Sequence, residues 1–247
     1  MSSDAVSLPV LPPPRTVPLF ALPPHDCSYL PGRAARSRGF LCERMPGELY
    51  HAFMDAGFRR SGRLVYQPVC DACRACRPLR VPVEAFQPSK SQRRTWKRNQ
   101  DLVVSVGDPE PTEEKFAVYA RYVRDRHGRS EDATPEAFVS FLYESPVDTL
   151  EFAYRDAAGR LLGVGVCDVC PGRSLSSVYF YFEPRDEKRG LGVFSALWEI
   201  GYARQNSIPH YYLGYWIDGC GTMHYKADYR PHEVLDADGA WRRPAGQ

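Results

Sequence analysis

Hydrophobic and polar positions follow two spacings along this chain, and the spacing separates predicted helices from predicted strands. Leu49, Phe53 and Met54 recur at helical intervals, which predicts a helix from about Glu48 to Ala56. The same criterion predicts helices at about 113–127, 135–143 and 191–206. Short apolar runs between turn residues predict strands at about 40–42, 58–60, 64–66, 150–154, 161–167, 177–182 and 211–216.

The order of these elements changes in the middle of the chain. Residues 107–114 are rich in proline and acid, which favours a domain boundary there. Two helices, three strands, a helix and a strand follow, as in an acetyltransferase-like fold, so the predicted class is mixed α/β with a smaller α+β domain in front. The predicted segments are a proline-rich tail (1–24), an N-terminal domain (25–107), an acetyltransferase-like domain (108–237) and a C-terminal tail (238–247).

Composition narrows the functional classes. The chain has 247 residues, 43% of them hydrophobic, which is enough for a substantial core. A net charge of +2 does not by itself indicate a nucleic-acid partner, so an anionic partner would need a local basic patch. We find no signal-peptide pattern and no apolar run near the ~20 residues that span a bilayer. The expected location is therefore the cytoplasm, without a membrane partner and with reduced cysteines.

Three cysteines lie three residues apart, at Cys70, Cys73 and Cys76. One loop could direct three such thiolates at a single soft cation. Zinc sites and iron–sulfur clusters usually take four ligands, so Cys27 or Cys42 would have to supply the fourth. The alternative is that these thiols are packed as small hydrophobic groups.

Positive charge is concentrated in residues 74–98, where eight arginines and lysines accompany one acid. If Ser89 caps a helix, four of these charges share one face and could follow a phosphate backbone. These four are Lys90, Arg93, Arg94 and Lys97. The alternative is a merely solvated helix face.

Two motifs stand out in the C-terminal half. Residues 177–192 are similar to the strand, phosphate loop and helix of CoA-dependent N-acyltransferases, but Glu187 stands where those enzymes carry Arg or Gln and would repel phosphate. Lys188 and Arg189 offset this in part. Further on, the aromatic strand Tyr211–Trp216 is followed by a compact group of Tyr, Lys, His and Asp residues at 218–229.

These motifs together resemble the aminoacyl-tRNA–protein transferases over about residues 25–235. The resemblance is carried by Tyr66-x-Pro68-x-Cys70, Pro78-x-Arg80, Phe86-x-Pro-Ser-x-Ser91-Gln-Arg-Arg94, Tyr212-Leu-Gly-Tyr-Trp-Ile217, Met223-x-Tyr225-Lys226 and Tyr229-x-Pro231-x-Glu233. The nearest match is the bacterial aspartate/glutamate leucyltransferase branch. One departure is Leu30, which stands where eukaryotic relatives carry a second cysteine in the motif beginning at Cys27.

The resemblance implies a reaction and its partners. Leucine would move from leucyl-tRNA to the free α-amine of proteins beginning with Asp or Glu, marking them for N-degron proteolysis. No cofactor is required for transfer. The resemblance also implies an iron–sulfur cluster, or zinc, at Cys70, Cys73, Cys76 and Cys27.

Roles follow for individual residues. The catalytic candidates are Tyr215, Lys226, Tyr225, Asp218 and Glu183, with Lys226 assigned to carbonyl or phosphate charge. Because a guanidinium matches both oxygens of a carboxylate, the acidic first residue is assigned to Arg80, Arg93 and Arg94. Tyr212 and Trp216 are expected to line the aminoacyl site. Expected tRNA contacts are Lys90, Lys97, Arg98, Lys188 and Arg189.

Three other functions remain open. An arginyltransferase would share both domains and differ in the amino-acid pocket. A CoA-dependent N-acetyltransferase would bind acetyl-CoA, against which Glu187 argues. A non-enzymatic zinc- or nucleic-acid-binding module would explain the cysteines and the basic segment but not the C-terminal half.

Overall fold

The computed structural model describes residues 16–128 and 130–245. In that part of the chain the strands are β1 (Phe20–Ala21), β2 (His25–Asp26), β3 (Ala34–Ala35), β4 (Ser37–Leu41), β5 (Arg59–Ser61), β6 (Leu64–Pro68), β7 (Arg77–Pro82), β8 (Val103–Gly107), β9 (Thr149–Arg155), β10 (Leu161–Cys170), β11 (Ser174–Phe182), β12 (His210–Trp216), β13 (Glu233–Leu235) and β14 (Trp241–Arg242). The helices are α1 (Gly47–Asp55), α2 (Lys90–Arg98), α3 (Glu113–His127), α4 (Pro135–Phe138), α5 (Leu191–Gln205) and α6 (Gly221–His224).

The main sheet has the strand order β14-β13-β7-β12-β11-β10-β9-β8. All its neighbouring strands are antiparallel except β11 and β12, which run parallel. That parallel pairing covers only Ser174–Ser176 against His210–Tyr212, whereas both strands continue beyond it. A second sheet has the order β1-β4-β6-β5, and β2 pairs with β3.

Two long helices cover opposite faces of the main sheet. Helix α3 begins where Thr112 accepts a hydrogen bond from the Lys115 amide and ends at Gly128, whose φ of 64° suits glycine. It buries Val118, Tyr119 and Val123 against β10 and β11. Helix α5 packs its own apolar side chains against the other face, with Phe152 and Tyr154 of β9. Because neighbouring residues of β9 face opposite sides, both helices find an apolar surface on the same strands.

A buried ion pair joins the two sheets. Arg60 of β5 donates to both carboxylate oxygens of Asp168 in β10, at 2.8 and 2.7 Å, and both side chains are fully buried. Thr149 also donates to Asp168, so the carboxylate is well satisfied. The N-terminal sheet is therefore fixed against the main sheet.

Most predicted elements are confirmed within a few residues. The helix predicted at 113–127 is α3, and the one predicted at 191–206 is α5. The helix expected at 135–143 divides into α4 and a π-helical turn at Val139–Tyr143. The predicted order of helices and strands after residue 113 is observed, so the expected mixed α/β class is confirmed.

The main sheet crosses the predicted boundary between residues 107 and 108. Strands β7 and β8 precede it, yet β7 pairs with β12 and β8 pairs with β9. The segments 25–107 and 108–237 thus share one sheet. The predicted tails also take part: Phe20–Ala21 pairs with β4, and Trp241–Arg242 pairs with β13. The rest of the predicted N-terminal tail, residues 1–15, lies outside the described residues.

Candidate functional site

A bulge in β12 shapes the site. The pairing register with β7 shifts between Tyr212 and Gly214, and Gly214 has a φ of 79°, which few residues other than glycine adopt. The bulge brings the rings of Tyr212 and Tyr215 to one side of the strand. Both rings contact Arg59 there: its guanidinium carbon lies 5.2 Å from the Tyr212 ring centroid and 5.5 Å from the Tyr215 ring centroid.

Lys226 lies buried beside this bulge. It belongs to the short helical turn Tyr225–Asp228, only 8% of it is exposed, and its Nζ donates to the Tyr215 carbonyl oxygen at 2.9 Å. Burial, and next the positive charge of Arg59, lower the pKa of Lys226 to about 7. The groups that oppose this shift are the thiols of Cys220 and Cys76. A large share of Lys226 is therefore an uncharged amine near neutral pH and can accept a proton.

The other catalytic candidates lie in different surroundings. The Tyr215 hydroxyl donates to the Gly57 carbonyl oxygen at 2.9 Å, and burial raises its pKa. Tyr225 is 43% exposed, and the exposed Asp218 carboxylate lies 3.4 Å from Nδ1 of His224. Of the five candidates, only Lys226 and Tyr215 are brought into direct contact by a described hydrogen bond.

Glu183 lies just past the end of β11. Its Oε2 accepts from Nε of Arg121 in α3 at 2.9 Å. Its Oε1 is buried and has no hydrogen-bond partner among the described residues. The structure thus associates Glu183 with α3.

A cavity of about 270 Å³ adjoins Tyr215 and holds the predicted metal ligands in its wall. Tyr66 and Tyr215 line it, and so do all four cysteines, Cys27, Cys70, Cys73 and Cys76. Burial raises the pKa of Cys76 to about 12, whereas a backbone hydrogen bond at Ala75 lowers that of Cys73. Across residues 16–128 and 130–245, however, no three Cys, His or carboxylate side chains are placed to hold one metal ion. The four cysteines share one cavity without forming such a group, and the cluster or zinc ion there stays a prediction.

Arg80, expected to bind the acidic acceptor residue, is engaged within the protein. Its guanidinium donates to Glu233 at 2.9 Å and to Asp55 at 2.7 Å, and it lies 4.3 Å from the Trp241 ring centroid. The hydroxyl of Tyr212 hydrogen-bonds the same Asp55 carboxylate. Arg80 and Tyr212 therefore belong to one polar network that closes on α1 and β13.

Trp216, the other expected aminoacyl-site residue, packs at the end of β12. The Arg77 guanidinium carbon lies 5.6 Å from its ring centroid, and the His224 ring centroid lies 6.4 Å away. Its Nε1 is buried without a hydrogen-bond partner in the part of the chain that the structure describes.

The basic helix forms as predicted. Ser89 caps α2 in a capping box with Gln92, and the helix buries Gln92 while presenting its cations to solvent. Those exposed cations are Lys90, Arg93, Arg94, Lys97 and Arg98. Lys188 is also exposed. It lies close to α2, because its carbonyl oxygen accepts a hydrogen bond from Arg98 at 2.6 Å. Arg189 instead pairs with Asp101 at 2.5 Å.

Helix α2 also covers the site where CoA-dependent enzymes bind a pyrophosphate. A Cβ at Gly190, the residue before α5, would lie 3.2 Å from Thr95 of α2. Asn99 donates to the Arg189 carbonyl oxygen at 2.9 Å, and Glu187 pairs with Arg126 at 2.6 Å. Helix α2 is therefore packed on the turn that would have to form a phosphate loop. This arrangement argues against CoA as the acyl donor.

Two charged residues, Glu199 and Arg59, are buried although the sequence pattern did not predict it. Glu199 of α5 is fully buried and accepts from Tyr211 at 2.5 Å and Ser195 at 2.8 Å. Arg59 of β5 is 6% exposed and lies over the Tyr212 and Tyr215 rings. An adjacent arginine pair in a short strand gives no signal of which side chain points inward.

Comparison with known proteins covers both halves of the chain. The family model described as arginine-tRNA-protein transferase, N terminus, matches residues 25–94, and the corresponding C-terminus model matches residues 114–236. The chain is 41% identical to the aspartate/glutamate leucyltransferase of Hahella chejuensis, over 91% of this chain and 96% of that one. It is 42% identical to the protein of the same name from Pseudomonas fluorescens, over 87% and 92%.

A more remote likeness exists among solved structures. The C-terminal domain of a putative lysylphosphatidylglycerol synthetase from Agrobacterium fabrum matches with a TM-score of 0.49 and 14% identity, over 81% of this chain and 68% of that one. A likeness this remote carries no argument about function. The two family models and the sequence identities are sufficient without it: the chain belongs to the arginine-tRNA-protein transferase family, in the branch of the aspartate/glutamate leucyltransferases.

Proposed function

We propose that this protein transfers leucine from leucyl-tRNA to the α-amine of proteins that begin with Asp or Glu. The relatives are named aspartate/glutamate leucyltransferases, and their 41–42% identity over most of both chains supports the donor and the acceptor. The geometric observation that carries the proposal is Lys226, a buried amine with a pKa of about 7 inside the matched C-terminal region. A new N-terminal leucine would mark the acceptor for proteolysis.

The chemistry requires one proton acceptor and no covalent enzyme intermediate. The acceptor α-amine, with an ordinary pKa of roughly 7.7 to 8.0, attacks the ester carbonyl carbon in its neutral form. The new C–N bond forms, and uncharged Lys226 takes the proton that the nitrogen loses. The ester C–O bond then breaks, and the same proton passes from Lys226 to the departing 3′-oxygen of the tRNA. Atoms and charge balance, and Lys226 returns to its starting state.

The hydrogen bond from Lys226 to the Tyr215 carbonyl oxygen supports this role. An uncharged amine can donate one hydrogen to that oxygen, at 2.9 Å, and keep its lone pair for the substrate. The bulge places Gly214 beside the amine: a Cβ there would lie 3.5 Å from Nζ, an ordinary van der Waals contact, so it is the φ of 79° rather than space that favours glycine here. In this proposal Lys226 handles the proton, and Tyr212 and Trp216 remain candidates for the wall of the aminoacyl site.

The exposed cations of α2 form the proposed tRNA surface, together with Lys188. They lie on one helix whose other face packs on α5, so they are held rigidly relative to the sheet. Charges fixed in this way favour phosphate binding because less side-chain and backbone freedom is lost on association.

A donor and acceptor experiment tests the proposal. Purified protein is incubated with tRNA carrying labelled leucine or labelled arginine, and with peptides that begin with Asp, Glu or Ala. We expect leucine to pass to the Asp and Glu peptides alone. Transfer of arginine would make the protein an arginyltransferase, and modification only by labelled acetyl-CoA would make it an N-acetyltransferase.

A further inference from the structure

Arg59 is a buried cation whose hydrogen-bonding capacity is only partly used. Its Nη1 donates to the carbonyl oxygens of Phe58 at 2.6 Å and Met54 at 3.2 Å. Its Nε and Nη2 are buried, and neither has a hydrogen-bond partner among the described residues. A buried guanidinium with free N–H groups is unfavourable unless something else completes it.

The neighbouring Arg60 is a buried guanidinium that a carboxylate does satisfy. Arg60 points to the other side of β5, where Asp168 accepts two hydrogen bonds from its guanidinium. On its own side Arg59 meets the Tyr212 and Tyr215 rings instead, which offer their faces to the cation. Ring faces attract the positive charge but do not satisfy the N–H groups.

Lys226 is a second basic group close to Arg59. After burial, Arg59 is the main cause of the lowered pKa of Lys226, which places the two charges close to each other. Arg59 also opposes the effect of burial on the pKa of the Tyr66 and Tyr215 hydroxyls, so it lies near both phenols. Within the described residues no ion pair joins a carboxylate to Arg59 or Lys226, and two buried basic groups in that state make a site that an anion would complete.

A cavity lies beside this site, on the other side of two aromatic rings that neighbour Arg59. Tyr66 and Tyr215 line the 270 Å³ cavity, and their ring centroids are 6.4 Å apart. Arg59 lies behind the Tyr215 ring and is paired in register with Tyr66. Nε and Nη2 are closed off from the cavity in this state, so an acceptor side chain would have to part the two rings to reach them.

From this arrangement we propose that Arg59 binds the side-chain carboxylate of the acceptor's first residue, and so sets the preference for acidic N-termini. The inference rests on the proposed function and adds the residue that reads the acceptor. Nε and Nη2 of a guanidinium form the edge that receives both oxygens of a carboxylate. In Asp or Glu the α-amine and the carboxylate are only a few bonds apart, which suits the adjacent Lys226 and Arg59.

The other arginine candidates are less suited to this role. Arg80 already donates to Glu233 and Asp55. Arg93 is exposed on α2 and donates to the Pro88 carbonyl oxygen, and Arg94 is exposed on the same helix. Solvent weakens an exposed ion pair, whereas a buried guanidinium strongly rejects a ligand that lacks the matching charge.

The test compares acceptors that differ only in charge. Wild-type protein and the Arg59→Met and Arg59→Lys variants are given leucyl-tRNA and paired peptides beginning with Asp or Asn, and kcat/KM is measured for each. We expect Arg59→Met to slow transfer to both peptides, because the Lys226 pKa rises when Arg59 is lost, but to lower kcat/KM about 100-fold more for the Asp peptide than for the Asn peptide. Arg59→Lys keeps the charge and should retain part of the preference. Arg63→Gln, in an exposed arginine near the same hairpin, is the matched control and should behave as wild type.

Two further measurements separate recognition from folding. Because Arg59 has unsatisfied N–H groups, Arg59→Met should not lower the melting temperature, whereas Arg60→Met should lower it by leaving Asp168 without its partner. Calorimetric titration with the Asp peptide alone, without tRNA, should show binding to the wild type and loss of binding in Arg59→Met.

Each remaining outcome overturns the inference in a recognisable way. Equal losses with both peptides and a lower melting temperature would make Arg59 structural. A loss of affinity for leucyl-tRNA with unchanged Asp over Asn preference would assign Arg59 to a phosphate. If the wild type bound the Asp peptide but moved no leucine, the proposed function would fail while the assignment of Arg59 stood.

Discussion

Lys226 donates a hydrogen bond from Nζ to the carbonyl oxygen of Tyr215, at 2.9 Å. The contact ties a residue of the turn after β12 to the strand itself and holds the amine away from solvent. Burial then removes most of the stabilisation that water gives to an ammonium group, so the pKa of Lys226 falls to about 7. The buried position that the hydrogen bond fixes is therefore also the main reason for the lowered proton affinity of this amine.

The lowered pKa of Lys226 predicts a change in stability with pH. The unfolded chain holds this proton up to a pKa near 10.4, whereas the folded protein releases it near 7. Between these values the unfolded state binds more protons, so this group makes the fold more stable as pH rises from about 7 to about 10.

Lys226→Met removes that contribution. Urea unfolding of both proteins at pH 6 and pH 10 measures it, and the difference between the two curves cancels all other titrating groups. We expect the wild type to gain about 2–4 kcal/mol more than the variant between these pH values. Parallel curves would mean that Lys226 is not perturbed by folding.

Glu199 predicts a pH effect of the opposite kind. Burial raises the pKa of this fully buried carboxyl, although hydrogen bonds from Tyr211 and Ser195 work against the shift. A raised folded pKa means that the contribution to stability is full below the unfolded pKa of about 4.3 and is lost as pH rises towards the folded value.

Glu199→Gln should therefore raise the free energy of unfolding at pH 7, by about 1 kcal/mol or more, and the gain should vanish near pH 4. The amide can still accept from Tyr211. Thermal unfolding at both pH values measures the effect, and Glu84→Gln, in the exposed loop after β7, is the control. A destabilised variant at pH 7 would show that Glu199 has a favourable charged partner.

The basic face of α2 predicts the salt dependence of tRNA binding. Replacing Lys90 and Lys97 with Gln removes two exposed cations without disturbing the capping box at Ser89. We expect the slope of log affinity for tRNA against log salt concentration to become shallower by about 1 to 2. Arg124→Gln, in an exposed arginine of α3 on the other face of the sheet, should leave the slope unchanged. Equal slopes for all three proteins would place the tRNA elsewhere.

The sequence pattern predicted the elements whose signals are local. Helices α3 and α5 have clear apolar periodicity, and Ser89 marked the start of α2 through a cap that needs only its own turn. Strands β7 and β8 were not predicted as part of the main sheet, because their positions depend on pairing with β12 and β9, which are distant in sequence. Short strands without a local turn partner carry little information about where they pair.

The candidate site, too, was predictable from the sequence only in part. The resemblance located Lys226 and Tyr215, and the fold brings them into contact. It did not locate Arg59, because Arg59 and Arg60 are equivalent as letters and only the packing gives one of them a carboxylate. Nor did it show that Arg80 is already occupied by Asp55 and Glu233, one before it and one far after it in the chain.

The role of Lys226 as proton acceptor is tested most directly by the pH dependence of kcat/KM for leucine transfer to an Asp peptide. Both Lys226 and the acceptor amine must be uncharged, so below about pH 7 the logarithm of kcat/KM should rise with a slope of two in the wild type. In Lys226→Met the rate should fall by about 100-fold or more, and only the acceptor amine should titrate, giving a slope of one. A folded Lys226→Met protein with the wild-type rate and a slope of two would contradict the account.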